Sequence, residues 1–515
     1  MYIDTEGNRI KQKYIIPFLY LFLFFSIVIL PLCFKAQLWT DEVLDSEPAY
    51  NLAFRHNMIC TVWSGEYKTD KYYFMRPPIY AIILSSFYKI FGFKRWVTLC
   101  LSLIPAVLAF CIIYAIAIFL TGDFWASIMS SLLFGLGAFG ITMAKWGRAD
   151  ALALLFFTVS LFIFLISHSQ KNKYLHFFFI LSSGVLMSFS AQTYQLYGLL
   201  FMSFIFYYLF ELRLQTKAWL KEMLIFSAAF FLTLTLWLSF ILKDMEAFLV
   251  QTLYVISSAT DLGSIHKNNF FIQNLKEILY LFFYHSPLTL IFFIIGNIFF
   301  VKRFPQYKNL FICFILLPAL FLFLSNILKA TYLEIILPLG FVGMGFFVVS
   351  LVRILKSNLI LNRKKGQYFL GILLSIFFLL HIAPGVLGRY IITIKDWQVR
   401  NLAAYENSLI SLIPSGSVVL GGPENWYALT RSGSRLLLFK YIDRPSFNWD
   451  KIDYVIIPIN IYTPPPSLFS FIKDHCIELG RIGIKAGNYS LPGLSLSNSG
   501  YSSIVFKVKD KASSN

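Results

Sequence analysis

Asp41 and Glu42 form an adjacent acidic pair a few residues beyond an apolar run, Tyr14 to Cys33, that is long enough to cross a bilayer. A span takes about 20 apolar residues, so the pair belongs at the far interface, where a carboxylate meets both lipid and water. Trp39, immediately before it, is of the type that anchors a chain at that interface. A carboxylate so placed is suited to act as a general base, taking a proton from an acceptor hydroxyl.

Cations accompany the pair. Lys145-Trp146-Gly147-Arg148-Ala149-Asp150 lies where one apolar run ends and the next begins. An arginine there can grip a phosphate through two parallel bonds, with Asp150 orienting it or capping the following helix. Arg76 precedes Pro77-Pro78, and Lys329 precedes Thr331-Tyr332-Leu333-Glu334. Each also has an ordinary reading: headgroup contact for Arg76 and Lys329, and snorkelling for Arg148. Asp45, Glu47, Glu66 and Asp70 read as charges that keep an exposed loop soluble. Taken together, an acid pair and several cations on one side of a membrane are the equipment for attack on a sugar held by a lipid phosphate.

The elements that must position these groups are membrane spans. The chain has 515 residues, 58% of them hydrophobic and 14% charged, with a mean hydropathy of +0.68. Apolar runs fall at roughly 14–33, 96–120, 123–144, 150–168, 174–190, 195–211, 222–242, 277–301, 308–325, 331–353 and 367–385. The fold class is therefore an α-helical polytopic membrane protein with about eleven helices, and a soluble globular core is excluded. The net charge of +18 does not indicate nucleic acid, because Lys and Arg fall in short loops between apolar runs.

With a cytoplasmic N-terminus, the cytoplasmic loops hold Lys171 and Lys173, then Arg213, Lys217 and Lys221, then Lys302, Arg303 and Lys308, then Arg353, Lys356, Arg363, Lys364 and Lys365. No small-residue cleavage site follows the first run, which reads as an uncleaved helix. The apolar stretch after Pro77-Pro78 is short for a span, and counting it as one would invert every later basic loop. It reads as a helix lying in the outer interface, within an outer loop of residues 34–95. A second outer loop covers 243–276. Six scattered cysteines show no paired spacing, so neither a disulfide framework nor a zinc site is expected.

Residues 1–385 thus form a transmembrane catalytic domain and 386–515 a small α/β extracytoplasmic domain. In the latter, Asp396 to Ile413 is helical in period, Pro414-Ser415-Gly416 is a turn, and 417–420, 435–439 and 454–457 read as strands.

As a set, several motifs resemble the GT-C membrane glycosyltransferases: Trp39-Thr40-Asp41-Glu42, Ala49-Tyr50-Asn51, Arg76-Pro77-Pro78-Ile79-Tyr80, Phe91-Gly92, Gly147-Arg148-Ala149-Asp150, and Lys329-Ala330-Thr331-Tyr332 with Pro338. They are most similar to the branch of protein O-mannosyltransferases and lipid A aminoarabinose transferases. The resemblance implies inverting transfer of a hexosyl or pentosyl group from a polyprenyl-phosphate donor to an extracytoplasmic acceptor: a glycolipid, a polysaccharide or a protein. It implies Asp41 as the base, with Glu42 binding the acceptor or positioning that base. Arg148, Arg76 and Lys329 would meet the donor phosphate, with Asp150, His56 and Tyr332 as supporting positions.

Met75-Arg76 stands where aminoarabinose transferases carry an acid and a lysine, and the further soluble domain of protein mannosyltransferases has no counterpart here. Sugar and acceptor therefore stay open. No required divalent metal is expected, since His56 and the nearby acids lack His-x-x-His or Asp-x-Asp spacing. The rival classes are a transporter or flippase, and an envelope polymerase or ligase using a lipid-diphosphate donor. The first lacks matching halves with broken helices; the second would place its long catalytic loop late in the chain.

Overall fold

In hydrocarbon a backbone must satisfy its own N–H and C=O groups, and long apolar runs do so as helices. The structure, a computed structural model, describes residues 7–63, 66–212, 216–260, 288–324, 335–356, 364–439, 442, 447–459, 466–483, 489–491, 494–496 and 501–509. Lys329, Tyr332 and the second outer loop beyond residue 260 lie outside them.

Among the described residues, eight helices are long and apolar enough to cross a membrane. α5 (Phe124–Leu136) and α6 (Ala138–Lys145), which meet at 59°, are long and apolar enough only as a pair, as one broken span or a re-entrant loop. The runs at 195–211 and 277–301 appear as the 15-residue helices Gly198–Leu212 and Thr289–Arg303. The eleven expected helices thus reduce, among the described residues, to eight or nine of spanning length, with these two runs as shorter helices. The bend between α5 and α6 nests against the wide turn Ala383–Leu387, where a Cβ on Gly385 would stand 2.1 Å from the Leu136 carbonyl oxygen. Only glycine lets the two backbones close there.

Between the first span, α1 (Gly7–Phe34), and the next, α4 (Arg95–Thr121), the chain forms α2 (Thr40–Arg55) and α3 (Pro78–Phe91). Pro78 starts α3 where its missing N–H costs nothing. At 14 residues the helix is about 21 Å long, too short for a bilayer core. His56 ends α2 in the left-handed conformation, at φ 61°.

The expectation that Asp45 and Glu47 serve loop solubility is corrected here, because both are buried in α2. Glu47 accepts hydrogen bonds from the Thr61 and Val62 amides, the Thr61 hydroxyl and the Cys60 thiol, which ties the loop after α2 onto the helix. Asp70 is exposed and Glu66 half-buried. Farther on, Gln251 of the helix Met245–Thr260 accepts from the Phe74 amide and donates to the Tyr67 and Tyr72 carbonyls, pinning the same loop from its other side.

After the last span come the helix Leu402–Leu412 and strands β1 (Val418–Gly421), β2 (Arg435–Leu438) and β3 (Tyr454–Pro458), at the expected places. Two further strands, β4 (Cys476–Gly483) and β7 (Ser502–Val508), complete a sheet of order β2-β1-β3-β7-β4. A separate hairpin pairs β5 (Tyr489–Leu491) with β6 (Leu494–Leu496). β1 runs parallel to both its neighbours, and β7 antiparallel to both of its own. Leu38, Val43, Trp63 and Tyr73 of the first loop share one apolar core with Tyr405, Trp426, Tyr427 and Tyr454 of this domain. The domain therefore buttresses α2.

Candidate active site

Three chain segments converge beside the start of α2. Asp41 lies in its first turn, and Asp45 one turn later on the same face. Arg76 arrives from the stretch before α3. Arg148 arrives from the break between α6 and α7 (Asp150–Ser167).

The Arg148 Nη1 atom is 3.5 Å from Asp41 Oδ2, and its Nη2 is 2.7 Å from Asp150 Oδ2. Arg76 Nε stands 3.2 Å from Asp45 Oδ1, and Nη2 3.9 Å from Asp41 Oδ1. The Ala149 amide donates to Asp45 Oδ2 at 3.2 Å. Three carboxylates thus face two guanidinium groups. Asp41 is the accessible carboxylate of the three: its side chain is 29% exposed, against 2% for Asp45 and 6% for Asp150.

The two guanidinium charges are arranged to persist. Burial opposes ionisation of Arg76 and Arg148, but Asp45 on the first and Asp150 on the second, with help from Asp41 and Tyr194, outweigh it and raise both pKa values. Burial pushes Asp45 up to about 6 even though Arg76 pulls the other way.

The break at residues 146–149 is shaped by its neighbours. Trp146 stacks on Trp39, with ring centroids 5.4 Å apart. Ser102 Oγ accepts from the Arg148 amide and donates to its carbonyl. A Cβ on Gly147 would lie 2.5 Å from Thr98 and 2.9 Å from Glu42, so no larger residue fits.

Of the sequence candidates, the structure brings Asp41, Arg76, Arg148 and Asp150 together. Asp150 orients Arg148 by an ion pair, and no side-chain cap bond is made at the start of α7. Two candidates lie apart from this cluster. Glu42 points away from Asp41, since neighbours on a helix diverge by about 100°, and it is wholly buried with Arg95 on its carboxylate. His56 is exposed and serves as the terminator of α2.

The sequence reading missed Asp45, Tyr194, Gln195 and Arg95. The Arg76 guanidinium lies 4.9 Å above the Tyr194 ring, and Gln195 donates to the Met75 carbonyl. The spacing of Asp45, four residues after Asp41, was a usable signal; nothing local marks the other three. Among the described residues no three His, Cys, Asp or Glu side chains are grouped to hold a metal ion.

No family model matches the chain, and no curated protein matches it by sequence. Solved structures do match it. ArnT from Cupriavidus metallidurans bound to undecaprenyl phosphate superposes with a TM-score of 0.57 at 11% identity, over 97% of this chain and 99% of that one. The apo state of that protein gives 0.54 at 12%, over 96% and 98%. The Archaeoglobus fulgidus oligosaccharyltransferase, tethered with an acceptor peptide containing the NVT sequon, gives 0.53 at 12%, over 86% of this chain and 69% of that one. The chain thus shares its fold with these ArnT and oligosaccharyltransferase structures, and among the described residues it carries at least eight helices long and apolar enough to cross a membrane.

Proposed function

We propose that the chain is a membrane glycosyltransferase that moves a hexosyl or pentosyl group from a polyprenyl-phosphate donor to an extracytoplasmic glycolipid, polysaccharide or protein, with inversion. The observation that carries this reading is one accessible carboxylate, Asp41, held between two buried or half-buried arginines that its own exposure leaves open to a ligand. The presence of undecaprenyl phosphate in a protein of the same fold supports a donor of that class.

In this mechanism Asp41 takes the proton of the acceptor hydroxyl. The acceptor oxygen forms a bond to the anomeric carbon while the bond from that carbon to the phosphate oxygen breaks. Its electron pair leaves on the phosphate, where Arg148 and Arg76 stabilise the added charge. A single displacement inverts the anomeric centre. Asp150 and Asp45 hold the two guanidinium groups in place, so neither arginine need reorganise as charge develops.

The two arginines supply the positive charge that a divalent ion would otherwise bring, and the proposal includes no required metal. The basic loops support a cytoplasmic N-terminus, with the Asp41 end and the sheet domain on the opposite side. Surrounding membrane lipids complete the partner set. The test is glycan analysis of envelope lipids and surface polymers from cells with and without the gene. Wild type should restore a lost decoration and Asp41→Asn should not; restoration by both would refute the base assignment.

A further inference from the structure

At the same end of the helix bundle, a recess of about 400 Å³ opens where α1 and α4 end, bounded by Phe34, Lys35, Lys94, Trp96, Leu99 and Arg400. Phe34 and Trp96 are exposed apolar residues at the tips of two spans, so one wall continues a lipid-facing surface. The opposite wall is cationic. Arg95 and Arg431 also line it, but each is neutralised, the first by Glu42 and the second by Glu406.

The other three cations are less fully paired. Lys35 and Lys94 have no acidic partner among the described residues. Lys35 donates to the Trp397 carbonyl at 3.3 Å and lies 4.2 Å over that ring. Arg400 has a buried Nε without a hydrogen-bond partner, with Asp396 Oδ2 4.0 Å away. Its Nη1 donates to the Lys35 carbonyl at 3.1 Å, which holds the two cations on one rim. Concentrated, partly dehydrated positive charge of this kind is costly until an anion meets it.

We infer that this recess is a second lipid site, which takes the phosphate of an anionic phospholipid headgroup on Lys35, Lys94 and Arg400 while Phe34, Trp96 and Leu99 receive its glycerol and upper acyl chain. The amphipathic walls select a lipid over free phosphate. None of Asp41, Arg76 and Arg148 lines the recess, and Arg95 on Glu42 forms its inner wall. The inference therefore stands apart from the proposed transfer reaction.

The test is native mass spectrometry of the purified, delipidated full chain titrated with phosphatidylglycerol or phosphatidylcholine. Wild type should prefer phosphatidylglycerol. Lys35→Ala and Lys94→Ala should each weaken it roughly fivefold, and the double variant should abolish the preference. Arg148→Gln, outside the recess, should retain it. Lys94 is exposed, so Lys94→Glu tests the site without disturbing the core; an unchanged preference in that variant overturns the inference. Equal binding of the two lipids by wild type does the same, as does displacement of phosphatidylglycerol by undecaprenyl phosphate or by inorganic phosphate.

Discussion

The carboxylate of Glu42 and the guanidinium of Arg95 meet through two parallel hydrogen bonds, at 2.8 and 3.1 Å, in a place where Glu42 has no exposed surface. Arg95 also donates to the Ala36 carbonyl and the Tyr501 hydroxyl, and the Tyr427 hydroxyl stands 3.5 Å from Glu42. The residue beside the proposed base is therefore a tether joining α2, α4 and the sheet domain.

Removing one partner of a buried ion pair leaves the other charge uncompensated, at a cost of about 3–5 kcal/mol. Glu42→Gln should therefore lower the unfolding temperature of the detergent-solubilised protein, and the molecules that remain folded should still transfer sugar. Loss of transfer at unchanged stability would return Glu42 to a chemical role.

Asp41→Asn should behave in the opposite way. The carboxylate is half-exposed and its amide replacement is isosteric, so stability should change little. Transfer should fall by roughly 10²–10⁴-fold, the usual contribution of a general base. Single-turnover transfer from a labelled polyprenyl-phosphate sugar measures it, and a rate close to wild type would rule the base out.

Arg148→Gln should act on the donor. A lost charge-assisted bond to phosphate is worth roughly 1.5–3 kcal/mol, or about ten- to 150-fold in donor affinity. Titration of the purified protein with undecaprenyl phosphate checks this; equal affinity in variant and wild type would place the phosphate elsewhere.

Asp45 makes stability depend on pH. Its pKa, raised from 3.8 to about 6 by burial, means that the folded chain holds this proton more tightly than the unfolded one. The associated stabilisation is complete below about pH 4 and is lost as pH rises through about 6, an effect of roughly 3 kcal/mol. Asp45→Asn, permanently neutral, should be more stable than wild type near pH 8 and equal to it near pH 4. Thermal unfolding across that interval decides it, and a constant gap between the two proteins would contradict the assignment. The same variant should transfer poorly throughout, because Arg76 loses its 3.2 Å partner.

The spans, α3 and three of the strands were legible because each rests on a local pattern: twenty apolar residues, a double proline before a short apolar run, or a few β-branched and aliphatic residues between turns. Asp41, Arg76 and Arg148 were legible because charge beside a span is costly enough to need a reason. Asp45 and Glu47 were misread because their burial comes from segments that only the fold brings onto α2: the stretch before α3 and the α6–α7 break on Asp45, and the following loop on Glu47. Arg95 stood in the sequence only as the end of the outer loop, and the folded chain alone sets it on Glu42. β4 and β7 escaped because Glu478, Arg481 and Lys507 blur their alternation.

Strand β7 is translated after every span, yet it occupies the interior of the sheet, between β3 and β4. Tyr501, just ahead of it, accepts from the Leu38 amide and donates to the Ala36 carbonyl, at the threshold of α2. The ribosome thus delivers this piece of the site's end of the molecule only after the spans that precede it have been made. Until then β3 has an unpaired edge and the threshold of α2 lacks its latch. A nascent chain already threaded through the bilayer should consequently stay idle, and chains stalled or clipped ahead of Tyr501 should be recognisable to quality-control proteases by that open edge.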